Sequence, residues 1–337
     1  MASHISEVNR CQFPRAIQLW LIMLFVLLLL MSSGVCFAAK CVYIASYHHG
    51  YEWNDGIERG IDDVLSSACE IHKFFMDTKR NNDLEFINKK SLEAKAFIEK
   101  IQPDVVIASD DNASKYVIQP FYKDAKTPFV FCGVNWTVES YGYPYTNVTG
   151  MIEAAPILPL LKEIRKIVKR PTKGIYLSAD VLTEHKDFAR YRKNYADDGV
   201  GLQGIFVKTM AQWKAQYKKA QASDANFIIL NNNSGINDWV KSEAKQFVLQ
   251  HAEIFTVTNY QWMMAYAMFA MTKVPEEQGE WAAKVALAIL DGHSASDIPI
   301  VVNRQWNTYV NPELLQKAHI QLPTNVLNKA IKVTSHE

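Results

Sequence analysis

The stretch from Ser46 to Ile61, "SYHHGYEWNDGIERGI", gathers two histidines, two tyrosines, a tryptophan and acidic side chains directly after an apolar run. Such a set suits a metal site, a catalytic centre or the wall of a small-molecule pocket. Metal fits poorly. His48 and His49 are adjacent, and neighbours on an extended chain point to opposite sides. No H-x-x-x-H, H-E-x-x-H or C-x-x-C spacing completes a ligand set. Catalysis fits no better, since the chain has no G-x-S-x-G elbow and no P-loop. A hydrolase would need a nucleophile activated by a base, and no spacing provides one. The pocket reading uses the residues as they are. Tyr47 and Trp53 offer flat apolar faces, while Ser46, His48 and Asp55 offer hydrogen bonds or charge.

Clusters of the same kind recur after other apolar runs: Ser109-Asp110-Asp111-Asn112, Gly133-Val134-Asn135-Trp136, Ser178-Ala179-Asp180, Asn231-Asn232 and Asn259-Tyr260. Hydroxyl, amide and carboxylate groups in this company suit a zwitterion or a polyol. Asp55, Asp110, Asp111 or Asp180 would pair with an amine. Helix N-termini expected at Asp55 and Asn112 would offer N–H groups to an anionic end. Asx and Ser residues also follow strands simply as helix caps, and that role accounts for part of the pattern. Gly199 to Gly204 spells G-x-G-x-x-G, but a helix pattern precedes it and a strand pattern follows. That is the reverse of a dinucleotide site, so it reads as a turn.

What must position these clusters is an alternation of strands and helices. Strand patterns at 41–46, 71–76, 104–109 and 128–133 alternate with helical ones at about 55–67 and 83–101 and a short one near 112–122. Asp55 and Glu58 have capping-box spacing. The rhythm restarts after Gly150, with helices at 157–169, 184–196, 211–221 and 236–250 leading to strands at 174–179, 204–208, 227–232 and 254–258. Two such runs predict an α/β protein of two doubly wound parallel-sheet lobes, with ligands beyond the carboxyl ends of the strands. The tail reads as two helices, about 260–271 and 277–291, then short strands at 297–303 and 308–311.

Composition sets bounds. The 337 residues carry 36 basic and 35 acidic side chains, so no nucleic-acid face announces itself. Arg10 and Arg15 precede an apolar run from Leu19 to Met31 and then small residues, the order of a secretory signal cut after Ala38. If uncleaved, the segment would anchor the chain in a membrane. Export permits disulfides. Cys41 opens the first strand and Cys69 closes the first helix, which leaves open either a Cys41–Cys69 bridge or, with Cys132, three buried thiols.

The segments 45–61, 103–118, 128–136 and 147–153, with 271–301 and 309–323 in the tail, resemble the substrate-binding proteins of ABC transporters. The likeness is to the branch with the type I periplasmic-binding fold that includes tryptophan- and aromatic-amino-acid-binding members. It implies two lobes joined by a hinge that the chain crosses three times, a ligand enclosed between them, no chemistry on that ligand and no cofactor. The domains expected are a signal peptide over 1–38, a first lobe over 39–149 plus about 264–303, and a second over 150–263 plus about 304–330. One departure stands out. Many members carry a "GxDYYELG" loop where this chain has Lys273 to Gly279, so the resemblance does not carry the ligand over.

The resulting expectation is an exported, monomeric binding protein, periplasmic or secreted, that takes a small amino-acid-like ligand to an ABC permease. The alternative is a periplasmic sensor that reports to a membrane sensor kinase or cyclase. The expected ligand-binding residues are Ser46, Tyr47, His48, Trp53, Asp55, Ser109, Asp110, Asp111, Asn135, Trp136, Ser178, Asp180, Asn231, Asn232, Asn259 and Tyr260.

Overall fold

Val105–Ser109 and Phe227–Leu230 are buried along their whole lengths, as strands covered on both faces must be. Each sits inside a parallel sheet. The computed structural model describes residues 20, 23, 39–81, 83–236 and 238–333. Apart from residues 20 and 23, the leader expected over 1–38 lies outside the described residues. Met1–Ala39 and Lys40–Glu337 are separate units, and the two-sheet architecture is that of the second.

In chain order the strands are β1 (Ala39–Ala45), β2 (Cys69–Phe75), β3 (Val105–Ser109), β4 (Phe129–Asn135), β5 (Val148–Glu153), β6 (Lys173–Ala179) and β7 (Gly201–Val207). They continue as β8 (Phe227–Leu230), β9 (Thr256–Thr258), β10 (Phe269–Lys273), β11 (Val301–Val302), β12 (Trp306–Val310) and β13 (Ile331–Lys332). The longer helices are α1 (Glu52–Leu65), α2 (Leu84–Ile101), α3 (Ile157–Ile167), α4 (Leu182–Asp197), α5 (Met210–Gln221), α6 (Lys241–His251) and α7 (Pro275–Leu290). Among the described residues no helix is long and apolar enough to cross a membrane.

One sheet has the order β11-β5-β4-β3-β1-β2 and the other β13-β12-β10-β9-β8-β6-β7. In the first, β1/β3, β3/β4, β4/β5 and β5/β11 pair in parallel. In the second, β12 is antiparallel to β10. Each sheet reverses direction once. β2 and β3 lie on opposite sides of β1, and β7 and β8 lie on opposite sides of β6. At such a switch point the loops leaving the two central strands diverge and open a crevice. The crevices fall after β1 and β3 in one lobe and after β6 and β8 in the other.

The chain passes between lobes three times: after Glu153, between Lys273 and Pro275, and between Val302 and Trp306. Side chains lace these crossings together. Asn303 Oδ1 accepts from Ala154 N (2.8 Å), and the two Glu277 oxygens accept from the Arg304 and Gln305 amides (2.8 and 2.9 Å). Lys273 ion-pairs with Glu153 across two of the crossings. α7 returns to the first lobe, where Gln278 accepts from Gly133 N (2.9 Å). There it packs on α1 through Gly56, Gly60 and Gly279. A Cβ at Gly60 would strike the backbone of Glu276, and one at Gly279 that of Ile57.

The structure differs from the sequence reading at several points. β5 extends the first sheet to Glu153, past the boundary drawn at 149. The helix expected over 260–271 is a 3-10 turn, Gln261–Met263, followed by β10 in the second sheet. The run from Phe269 is apolar because the strand lies between β9 and β12 and is buried on both faces, a pattern that periodicity cannot separate from a buried helix. α1 starts at Glu52, so Asp55 lies inside its first turn. Rather than capping, Asp55 Oδ1 reaches back to accept from Gly50 N (2.9 Å). Of the two alternatives left open for the cysteines, the structure has the Cys41–Cys69 bridge, with Cys132 free and buried.

Candidate functional site

A cavity of about 870 Å³ lies where the two crevices face each other, lined from both lobes. On the first lobe, Ser46 fastens the loops after β1 and β3. Its Oγ donates to Ser109 O (2.5 Å) and accepts from Ala113 N (2.8 Å). This frame presents Tyr47 and Tyr51 edge to face, ring centres 5.4 Å apart, with Lys79 Nζ 4.9 Å and 5.3 Å from them. Trp53 Nε1 donates to Asp110 Oδ1 (2.9 Å), and Lys273 Nζ lies 5.1 Å from the Trp53 ring.

Two of the lining residues hold left-handed backbones, Asp110 at φ 69° and Trp136 at φ 63°. Strain of this kind gathers where a side chain must be aimed. Gly133, also left-handed, makes room, because a Cβ there would press on the Asp110 carboxylate. Burial pushes Asp110 up to about 7, against the Trp53 hydrogen bond and with the neighbouring Asp111 charge adding to the rise. Asp111 is better held. It accepts from Asn135 Nδ2 (2.6 Å) and Tyr141 OH (2.5 Å).

On the second lobe, Glu184 sits fully buried behind the wall and gathers donors. Its Oε2 accepts from Tyr176 OH (2.8 Å), Ser178 Oγ (2.6 Å) and Asn231 Nδ2 (2.8 Å). One face of α4 adds Thr183, Lys186, Asp187, Arg190 and Tyr191 to the cavity. Burial, with the Glu184 charge nearby, pushes Asp187 up to about 6. Arg190 stacks 4.6 Å from the ring of Trp136, a residue of the first lobe's β4 loop, so the lobes touch across the cleft. Tyr260 and Trp262 stack at 4.4 Å on the far wall. Lys273 is pushed down to about 8 by burial, with Asp110 pulling the other way.

Of the residues expected from the sequence, the structure brings Tyr47, Trp53, Asp110, Asp111, Asn135, Trp136, Asn231, Asn232, Asn259 and Tyr260 into this one cavity. The others are absent from its lining. Ser46 and Ser109 are frame, with Ser109 Oγ 3.0 Å from Tyr43 OH. Ser178 is spent on Glu184. His48 turns to Asp77 (3.5 Å), and Asp55 holds Gly50 N. Asp180 pairs with His185 (2.7 Å) and Lys208 (3.4 Å).

Sequence reasoning missed Tyr51, Glu52, Lys79, Ala155, Gln261 and Trp262, and two further groups of lining residues. The face of α4 has the spacing 183, 186, 187, 190, 191 of one helical side, but its charges read as a solvated surface. The hinge residues Glu153, Thr272, Lys273 and Pro275 carry no local signal, because only the crossings bring them together. Among the described residues, His49, Asp55 and Glu58 place ligand atoms within 4.8 Å of one another. Lys73 Nζ already sits 2.7 Å from Glu58 Oε1 and supplies the positive charge a metal would bring. His49 is mostly exposed.

The sequence pattern of the family described as ABC transporter substrate binding protein matches residues 46–334, a span that takes in the whole cavity lining and every strand of both sheets except β1. No curated protein matches the sequence. The structure is similar to an ABC domain in complex with L-Trp from Streptococcus pneumonia, at 15% identity over 88% of this chain and 100% of that one (TM-score 0.59). It is also similar to the ligand-free, open structure of a substrate binding protein with adhesive properties from Clostridium difficile, at 13% identity over 88% and 99% (TM-score 0.68). An arabinose binding protein from Geobacillus stearothermophilus aligns at 10% identity over 87% and 100% (TM-score 0.54). At these identities the likeness is one of fold, that of two-lobed periplasmic-binding proteins.

Proposed function

The chain belongs to the ABC transporter substrate-binding family, and from that premise we propose that it is an exported carrier that captures a small amino-acid-like molecule between its lobes and hands it to an ABC permease. One observation carries the reading. The loops at both switch points converge on one cavity that offers side chains of both signs beside aromatic faces. Asp110 and Asp187 suit an amine, Lys186 and Arg190 suit a carboxylate, and Trp53, Tyr260 and Trp262 suit an apolar side chain. The ligand-binding residues are therefore the cavity-lining set, and the role is capture and closure without turnover.

A thermal-shift screen of the purified protein against L-amino acids, sugars and nucleosides tests this. A ligand at a hundred times its dissociation constant adds about 2.7 kcal/mol. A shift from amino acids, with the compound recovered unchanged, is expected. Shifts confined to sugars would overturn the amino-acid assignment, and consumption of the compound would overturn the carrier role. Failure of the loaded protein to stimulate its permease's ATPase would count against delivery and favour signalling.

A further inference from the structure

Four cavity-lining side chains, Asp110, Tyr191, Asn231 and Asn259, are almost completely buried and keep polar atoms without a hydrogen-bonding partner among the described residues; for Tyr191, 1% exposed, that atom is the hydroxyl. Asp110 is 1% exposed, Asn231 2% and Asn259 7%. Asp110 Oδ1 takes the Trp53 N–H, but Oδ2 has no hydrogen-bonding partner. Neither Nδ2 nor Oδ1 of Asn259 has one. Leaving such atoms bare carries a desolvation cost that a guest in the cavity would recover.

The chemistry of what completes them can be read from Asn231. Its Nδ2 donates to Tyr176 OH (2.6 Å) and Glu184 Oε2 (2.8 Å), which uses both of its N–H groups. Tyr176 gives its own proton to the same carboxylate and so can only accept from the amide. The orientation of Asn231 is thereby fixed, and the atom left over is Oδ1, an acceptor. Each lobe thus ends in an unfilled acceptor, Asp110 Oδ2 on one side and Asn231 Oδ1 on the other, with Asn259 beside them in the lining. Lys273 is near enough for the Asp110 charge to act on it but makes no hydrogen bond to Oδ2, pairing instead with Glu153.

We propose that the guest presents a protonated primary amine, whose N–H groups are taken by Asp110 of the first lobe and Asn231 of the second, so that one ammonium group ties the lobes together. The inference rests on the reading of this cavity as the ligand site and narrows it. A carboxylate favours a positive charge, and two acceptors take two N–H donors, which a single centre can carry. An ammonium group supplies both. A hydroxyl has one proton and no charge, and fails on both counts.

The test compares L-amino acids with the 2-hydroxy acids that replace each amine by a hydroxyl, alongside simple primary amines, sugars and nucleosides, by calorimetry on the purified protein. Wild type should bind an amine-bearing compound roughly 100-fold more tightly than its hydroxyl counterpart. Asp110→Asn should weaken the amine by a similar factor and bring the amine-to-hydroxyl ratio toward one, a change that general loosening of the fold does not produce. Asn231→Leu should weaken it roughly tenfold. The wild-type ratio needs no variant and stands even if a variant fails to fold. Equal binding of amine and hydroxyl forms overturns the inference and leaves the amino-acid reading intact. Binding of amines that lack a carboxylate supports the inference and removes that reading. Binding only of uncharged compounds, or of no amine at all, overturns both.

Discussion

Asp110 combines a left-handed backbone, near-complete burial and a half-satisfied carboxylate, and this has a consequence for pH. Its folded carboxyl holds a proton up to about 7, while the unfolded one releases it near 3.8. Between those values the folded state binds more protons, so stability falls as pH rises from about 4 to about 7 and levels off above. A difference of that size corresponds to at most about 4 kcal/mol. Asp187, pushed up to about 6, acts with the same sign. Urea unfolding of the ligand-free protein across this range should show the decline, and Asp110→Asn should flatten most of it. An unchanged slope in the variant would assign the effect elsewhere. Behind the opposite wall, Glu184→Gln puts an N–H donor where several donors already converge. It should lower the free energy of unfolding by about 1–3 kcal/mol, read as a lower urea midpoint with unchanged slope. Asp110 and Asn231 were legible in the sequence because strand ends in an α/β sheet must collect at one edge. Lys273 and Glu153 were not, since their contact spans 120 residues. Ser46 and Ser109 carried the right residue type in the right place but were claimed by the frame.

At the scale of elements, α1 and α7 pack so closely that three glycines replace side chains between them. α1 carries Trp53 into the cavity and α7 begins at Pro275 beside Lys273, so this contact sets the distance between them. Gly279→Ala would drive a methyl into the Ile57 backbone and should cost about 1–3 kcal/mol. A crystal structure of the variant should show α7 displaced, and an unchanged melting temperature would refute the tight-packing account. The Cys41–Cys69 bridge closes a loop of 28 residues and joins β1 to β2. Reduction should remove about 3–4 kcal/mol, measurable by unfolding with and without a thiol reductant. Strand–helix alternation was readable along most of the chain because parallel strands are apolar throughout and helices are apolar on one side. The tail was not. β10 is as apolar as a helix core, and only its neighbours β9 and β12 reveal it as a strand.

Among the described residues, the two sheets are joined by three crossings and face each other across a cleft. Arg190 and Trp136 touch across that cleft without a guest. A guest that fills acceptors on both sides stabilises the closed arrangement in proportion to its contacts with each lobe. Small-angle scattering should therefore record a smaller radius of gyration with saturating ligand, and Asp110→Asn should lose the change. The two-lobed plan was legible from the restart of the strand–helix rhythm after Gly150. The resemblance sent 264–303 to the first lobe and 304–330 to the second; β11 and β12 pair in those sheets, whereas β10 pairs with β9 and β12 in the second, a partnership that residue pattern alone does not disclose.

Those pairings also fix an order of events during synthesis. The first sheet borrows its edge strand, Val301–Val302, from chain made after nearly all of the second lobe, and the second sheet closes with Ile331–Lys332. Neither half is therefore complete until the chain has been made past residue 300. A chain ending before residue 301 would have every loop of the cleft and no finished sheet to hold them.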